Sequence, residues 1–158
     1  MSYLLADEFN DSTPIDSTFR IQHKGIKLAY VRAHCIKHGT IGAGTFTATI
    51  SQNGTDLGSA SITAAEIDAI SGTYAHGMFT WAFAKPIILG VNETLDEQEY
   101  EIRFESVGYT GDSSNFFSVC KDFDNVIVSD YGIHFNENTN AQKAGSMPYG
   151  LELYKWDI

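Results

Sequence analysis

The acidic side chains are the first candidates for chemistry, because Asp and Glu number 20 against 10 for Lys and Arg. Two short runs carry the groups that bind a hard cation: Asp7, Glu8 and Asp11 near the start, and Asp122 and Asp124 further along. Calcium takes carboxylate and carbonyl oxygens from loops, but neither run has the spacing of a defined calcium-binding loop. We therefore predict solvated acidic surfaces at both runs and no metal site.

Three carboxylates in one segment, Glu99, Glu101 and Glu105, are of the type that serves as acid and base in glycoside hydrolysis. Arg103 stands among them, and the alternation of the segment puts all four side chains on the side that faces water. Charges in that position keep a strand soluble and discourage unwanted pairing. The row therefore predicts a solvated strand face and no catalysis.

A third candidate is Gly111-Asp112-Ser113, which is similar to the nucleophile block of one esterase family, with Asp130 and His134 as the partners. That family needs its Asp and His three residues apart, and here they are four apart. The Gly-x-Ser-x-Gly elbow of the hydrolases does not occur either. The tripeptide therefore predicts a turn between strands, and we expect no enzyme activity.

The histidines and cysteines show no metal-ligand spacing. His34 and His38 are four residues apart, which would align them on a helix, but the segment that holds them has the pattern of a strand. No third ligand is implied, so we predict ordinary surface or half-buried histidines and no cofactor. For Cys35 and Cys120 we expect two buried free thiols, with a disulfide between neighbouring strands as the alternative.

Composition excludes several classes of protein. The 158 residues carry a formal charge of 10 − 20 = −10, whereas a phosphate backbone is bound by clustered Lys and Arg, so we expect no nucleic-acid partner. No apolar run approaches ~20 residues, so we expect no membrane span. The apolar start, Tyr3-Leu4-Leu5, meets acidic residues at once, unlike a secretory signal, and this predicts synthesis in a cytoplasm.

The elements that must position these groups are mostly strands. Alternation with a period of two predicts strands at Gln98–Val107, Met78–Ala84 and Thr45–Ile50. Lys85-Pro86 is expected to end the second of these, since proline cannot donate to a ladder. Asn53-Gly54 follows the third and predicts a hairpin turn.

Two segments differ from this simple pattern. Gly25–Lys37 carries apolar residues on both faces, which predicts either a central strand covered on both sides or a strand with a bulge. Thr63 and Glu66 form a capping box, which predicts one short helix at about 64–69.

Strands and helices do not alternate along the chain, which argues against a parallel α/β sheet. The pattern predicts an all-β fold, an antiparallel jelly-roll-like β-sandwich with one short helix. Residues 1–14 would form an N-terminal arm or a first edge strand, and residues 15–158 the sandwich domain.

The motifs follow one order along most of the chain. They are a β-prone segment ending in a basic residue and Gly (26–39), a Thr-rich strand (45–50), a polar turn (53–54), a capped helix (63–70), a strand with aromatic-x-Trp-x-Phe (79–83), a Tyr-bearing strand (99–105), a Gly-Asp-Ser-Ser-Asn loop (111–115) and a closing Leu-Glu-Leu-Tyr-Lys-Trp (151–156). This order resembles the jelly-roll sandwich of bacteriophage virion proteins and of related carbohydrate-binding-type modules in bacterial surface proteins. The resemblance covers about Ile15 to Trp156.

The resemblance implies a non-enzymatic structural component of a phage virion: a decoration, fibre, collar or tail-associated protein. Such a protein would be assembled in the host cytoplasm, dock on other virion proteins and form a homo-oligomer. Tyr3, Leu4 and Leu5 are the expected docking residues, because they lie outside the best-patterned region.

The alternative function is a carbohydrate-binding adhesion module that recognises host surface glycans. Exposed aromatic rings in loops stack on sugar faces, and polar groups beside them accept and donate hydrogen bonds. The expected ligand-binding residues, which lie in or beside the long loops, are Tyr109, Asp112, Asn115 and Tyr131.

Overall fold

A computed structural model describes residues 5–21, 26–90, 98–122, 133–135, 147–148 and 152–155. The elements in chain order are β1 (Leu5–Glu8), β2 (Ile15–Ile21), β3 (Ile26–His38), β4 (Thr45–Gln52), β5 (Thr55–Thr63), α1 (Ala64–Asp68), β6 (Tyr74–Leu89), β7 (Gln98–Val107), β8 (Phe116–Asp122), β9 (Ile133–Phe135), β10 (Met147–Pro148) and β11 (Glu152–Lys155).

The strands form two antiparallel sheets. Sheet I has the order β1-β8-β3-β11, with β6 paired to β3 and β10 paired to β8, and sheet II has the order β5-β4-β7-β2-β9. The pairs β1–β8, β2–β7, β3–β6 and β4–β5 nest inside one another along the chain. This nested wrapping is how a jelly roll joins two sheets. The predicted all-β sandwich with one short helix is confirmed for the residues that the structure describes.

The core lies between the sheets and is filled from alternate positions of their strands. In β7, Tyr100, Ile102 and Phe104 are at most 1% exposed, as the alternation predicts. Trp81 of β6 is fully buried, and its indole N–H donates to the carbonyl oxygen of Phe46 in β4 at 3.0 Å. This bond ties the two sheets together, because a buried indole N–H needs an acceptor.

Strand β3 is central in its sheet and contains the predicted bulge, but its outward side chains are half-buried and not covered. It pairs with β6 along one side and with β8 and β11 along the other, so it is central in sheet I. Its register with β6 shifts between Leu28 and Tyr30, and the buried positions change phase there, from Leu28 to Val31 and Ala33. The apolar residues on both faces therefore reflect a bulge as well as a central position.

The prediction that Lys85-Pro86 ends a strand is wrong. Strand β6 continues through Pro86 to Leu89, and its pairing with β3 jumps from Ala82 to Ile87. Pro86 thus lies in a stretch where four residues of β6 stand opposite the single residue Ala29, outside the regular ladder. The missing proline N–H removes no ladder hydrogen bond in such an irregular stretch.

The short local signals are confirmed. Thr63 caps helix α1: its Oγ1 accepts from the Glu66 N–H at 3.2 Å, and the Glu66 carboxylate accepts from the Thr63 N–H at 2.6 Å. The helix ends at Asp68, one residue before the predicted limit. Asn53 and Gly54 have φ values of 51° and 77°, as a two-residue hairpin turn with both residues in the left-handed region requires.

Both cysteines are buried free thiols, as predicted, and the disulfide alternative is wrong. Burial raises the pKa of the Cys35 thiol well above its ordinary value, with Cys120 nearby adding to the effect. A buried, protonated thiol behaves as a small apolar side chain.

Candidate functional site

The loop after β7 is held by a carboxylate from the start of the chain. Asp11 accepts hydrogen bonds from the Ser106 hydroxyl at 2.7 Å and from the backbone N–H groups of Gly108 at 2.8 Å and Tyr109 at 3.1 Å. One side chain therefore fixes the end of β7 and the turn that follows it. This carboxylate, predicted to be part of a solvated acidic surface, has a structural task.

Tyr109 lies in the core at the end of the sandwich. It is 5% exposed, its ring meets that of Phe46 edge-on at 5.2 Å, and its Oη accepts from the Phe117 N–H at 2.9 Å and donates to Glu8 Oε1 at 3.2 Å. Burial raises the pKa of Tyr109 to about 12, helped by the neighbouring Glu8. The prediction of an exposed ring for sugar stacking is therefore wrong at this position.

Asp112 and Asn115 close the predicted turn at 111–113. Asp112 Oδ1 accepts from the N–H groups of Ser114 at 2.7 Å and Asn115 at 2.8 Å, and from the Asn115 amide at 3.2 Å. The Asn115 Oδ1 accepts from the Thr40 N–H at 3.0 Å. The backbone N–H of Ser114 and the groups of Asn115 hold the pKa of Asp112 below its ordinary value. Both side chains thus shape the loop, and their role in glycan binding stays a prediction.

A polar cleft of about 450 Å³ opens beside this loop. Its lining comes from residues 8–12 and 109–111, with Glu8 and Asp11 as the charged groups. Among the described residues, no three or more His, Cys, Asp or Glu side chains are grouped as metal ligands.

The N-terminal segment belongs to the sandwich from residue 5 onward. Leu5, an expected docking residue, pairs with Lys121 in the first register of β1 and β8. Phe9 is 2% exposed and sits among the rings of Phe46 and Phe117 at centroid distances of 5.0 Å. Leu5 therefore lies in β1, an edge strand of sheet I, which agrees with the edge-strand alternative predicted for this segment. The docking role of Leu5 stays a prediction. Tyr3, Leu4 and Tyr131 lie outside the described residues.

A second surface, on the outside of sheet I, was not predicted. We call it the histidine–aromatic face and define it by His34 and His38 of β3, Tyr74 and His76 of β6, and Phe116 of β8. The ladder pairs His38 with Tyr74 and with Phe116, and Ile36 with His76, so His34 and His76 are diagonal neighbours. On a diagonal, long side chains of adjacent strands can touch.

The rings of this face contact one another. His34 Nε2 and His76 Nδ1 are 3.1 Å apart. His38 stacks on Phe116 with a centroid distance of 5.2 Å, and Tyr74 lies 6.2 Å from His38 and 6.1 Å from His76. His38 Nδ1 is 2.7 Å from the Ser114 carbonyl oxygen, so this nitrogen carries a hydrogen and donates it. Burial and the neighbouring His76 lower the pKa of His34.

The outside of sheet II is different, because it is charged. Arg103 contacts Glu105 at 3.1 Å, and Glu101 and Asp56 each at 3.4 Å. Glu101, Arg103 and Glu105 belong to the predicted row of charges on a water-facing strand, and Asp56 comes from β5. In contrast, β3 from His34 to His38 and β6 from Tyr74 to Leu89 contain no acidic residue.

Sequence reasoning treated His34 and His38 as a pair and missed His76. Four residues along a strand separate two side chains by about 13 Å, so the contact partner of His34 had to come from another strand. The alternation that turns Phe79, Trp81 and Phe83 inward also turns His76 outward, and this was the available signal. Which residue of another strand lies beside it depends on how the two strands pair and in which register.

The fold and these surfaces define an antiparallel jelly-roll β-sandwich with two unlike outer faces. No protein-family model matches the chain, and the curated proteins contain none that is significantly similar to it. Within the described ranges, no helix has the length and apolar character needed to cross a bilayer.

Proposed function

We propose that this protein is a non-enzymatic structural component of a phage virion, and that copies of it associate through the histidine–aromatic face. The virion role is what the resemblance of the motif order implies, and the observation that carries the association between copies is the contrast between the outer faces of the sandwich. One presents a network of Arg103 with three carboxylates, and the other presents rings on strand segments that lack acidic residues.

Electrostatics favours this face for contact between copies. Each chain carries a formal charge of −10, so two copies repel each other, and the repulsion is smallest when their contact avoids the acidic surfaces. Interface cores are depleted in charge and rich in aromatic side chains. Tyr74, 56% exposed, is a large ring of the kind that anchors such contacts. A two-fold contact would place the same patch of each copy against the other.

The structural tasks of the polar side chains support a non-enzymatic role. Asp11, Asp112 and Glu66 bind backbone N–H groups and so hold loops and the helix in place. Asp68 does the same for Ile41 and Gly42, each at 2.8 Å, and lies 3.7 Å from Lys37 Nζ. A protein built to keep its shape within a particle needs such bonds.

Self-association is tested by sedimentation velocity over a range of concentrations. We expect an oligomer that Tyr74→Glu weakens by about tenfold or more, because like charges across an interface are costly. Ser59→Glu, at an exposed position of β5, is the matched control and should leave the oligomer intact. A wild-type protein that stays monomeric, or equal effects of both variants, would reject the contact.

The virion assignment is tested separately, by mass spectrometry of phage particles purified from cells that carry the encoding gene. We expect peptides of this chain at a constant ratio to the major particle proteins through successive purification steps. Loss of the chain from intact particles, or hydrolysis of a polysaccharide or an ester by the purified protein, would overturn the assignment.

A further inference from the structure

We propose that His34 and His76 form a binding site for a divalent transition-metal ion that prefers imidazole nitrogen, namely Cu²⁺, Ni²⁺ or Zn²⁺. The carrying observation is the distance of 3.1 Å between His34 Nε2 and His76 Nδ1. With metal–nitrogen bonds of about 2.0–2.1 Å, two ligands of one ion stand about 2.9 Å apart at a right angle and about 3.3 Å apart at the tetrahedral angle. The two nitrogens are already at this spacing.

The sheet fixes the backbone positions of the two histidines, whereas their rings, 12° from parallel with centroids 5.3 Å apart, must turn to bind an ion. His34 and His76 belong to β3 and β6, which pair in two runs over most of their length, and the register sets them on a diagonal. Sites on strands are held more firmly than sites on loops. In a single copy of the chain His76 is exposed, so there water can complete the coordination of an ion bound by two imidazoles.

Binding requires a change of tautomer and no change of charge. In the neutral pair, one of the two facing nitrogens donates its hydrogen to the other. An ion needs the lone pairs of both nitrogens. The hydrogen between them must therefore leave, and the other nitrogen of the ring that carried it must take up a hydrogen in exchange. Each ring stays neutral, and both rings must turn their lone pairs toward the ion. Imidazole suits the transition metals, whereas Mg²⁺ and Ca²⁺ prefer oxygen ligands.

The test is isothermal titration calorimetry of tag-free protein with NiCl₂ and ZnCl₂, and with MgCl₂ as the control ion. We expect one Ni²⁺ or Zn²⁺ per chain and no binding of Mg²⁺ at this site. His34→Gln places an amide nitrogen near the Nε2 position, and His76→Asn places one near the Nδ1 position. Amides can keep the contact between the strands but are poor ligands, so each variant should weaken binding by at least about tenfold.

His38→Asn is the matched variant on the same face. Its amide can still donate to the Ser114 carbonyl, so the loop keeps that bond, and metal binding should be unchanged. Thermal unfolding in EDTA checks that all three variants fold, and added NiCl₂ should raise the Tm of the wild type and of His38→Asn only. Binding that survives His34→Gln and His76→Asn, or is absent from the wild type, would show that the histidines form a hydrogen-bonded pair only.

Discussion

Replacing Phe9 by Ala tests whether the N-terminal segment is part of the folded core. The ring is 2% exposed, lies parallel to that of Phe117 at 5.0 Å, and meets the rings of Phe46 and Phe104 edge-on at 5.0 and 6.4 Å. Truncation of a buried Phe to Ala costs about 3–5 kcal/mol of folding free energy. Because rings surround Phe9 and cannot easily collapse into the space, we expect about 4 kcal/mol.

This loss is large against the total stability of a domain, which is about 5–15 kcal/mol. For a chain of this length each kcal/mol lowers the Tm by about 2–4 °C, so Phe9→Ala should melt about 8–16 °C lower than the wild type. Urea unfolding followed by circular dichroism gives the free energy of unfolding. The slope of that free energy against urea concentration should be the same in Phe9→Ala and the wild type.

Val107→Ala is the matched control, because Val107 is 72% exposed at the end of β7. Surface substitutions of this kind change stability by about 0.5 kcal/mol or less. A loss below about 1 kcal/mol for Phe9→Ala would refute the reasoning and restore the picture of residues 1–14 as a detachable arm.

Two further predictions concern packing and pH. At Gly58 an added Cβ would lie 2.7 Å from Ile87 Cδ1, whereas at Gly77 it would meet nothing within 4 Å. Gly58→Ala should therefore lower the free energy of unfolding by about 1 kcal/mol. Gly77→Ala should leave that free energy equal or higher. Equal losses in urea unfolding would show that the backbone, and not Ile87, sets the cost. Burial and His76 lower the pKa of His34 in the folded protein, so this side chain binds a proton more readily in the unfolded chain. Acidification through the ordinary pKa of 6.5 and below should therefore destabilise the fold. The pH dependence of Tm in EDTA should be weaker in His34→Gln; an unchanged dependence would contradict the assignment.

The local elements were readable from the sequence because their causes are local. A strand with one buried face needs apolar residues at every second position, and Tyr100, Ile102 and Phe104 show that period within a few residues. The capping box at Thr63 and Glu66 and the Asn53-Gly54 turn are likewise complete within four residues. Each of these predictions could therefore be made without knowing any partner strand.

The errors arose where a distant segment decides the outcome. Pro86 is tolerated inside β6 because the ladder with β3 is irregular there, which no property of β6 reveals. Tyr109 follows a strand and precedes a Gly-rich loop, yet its hydroxyl finds partners in Glu8 and Phe117, 101 and 8 residues away along the chain. Burial of that ring depends on what packs over it.

By itself, the sequence determined the class of fold. A period of two with few helix signals predicts many strands that each have one apolar face, and two sheets packed against each other as a sandwich bury those faces. The tertiary structure alone decided which side chains meet. His34 and His76 are 42 residues apart along the chain and have nitrogens 3.1 Å apart. The reason is physical: alternation assigns a residue to one face of its strand, whereas register, which is a property of two strands together, assigns it a neighbour.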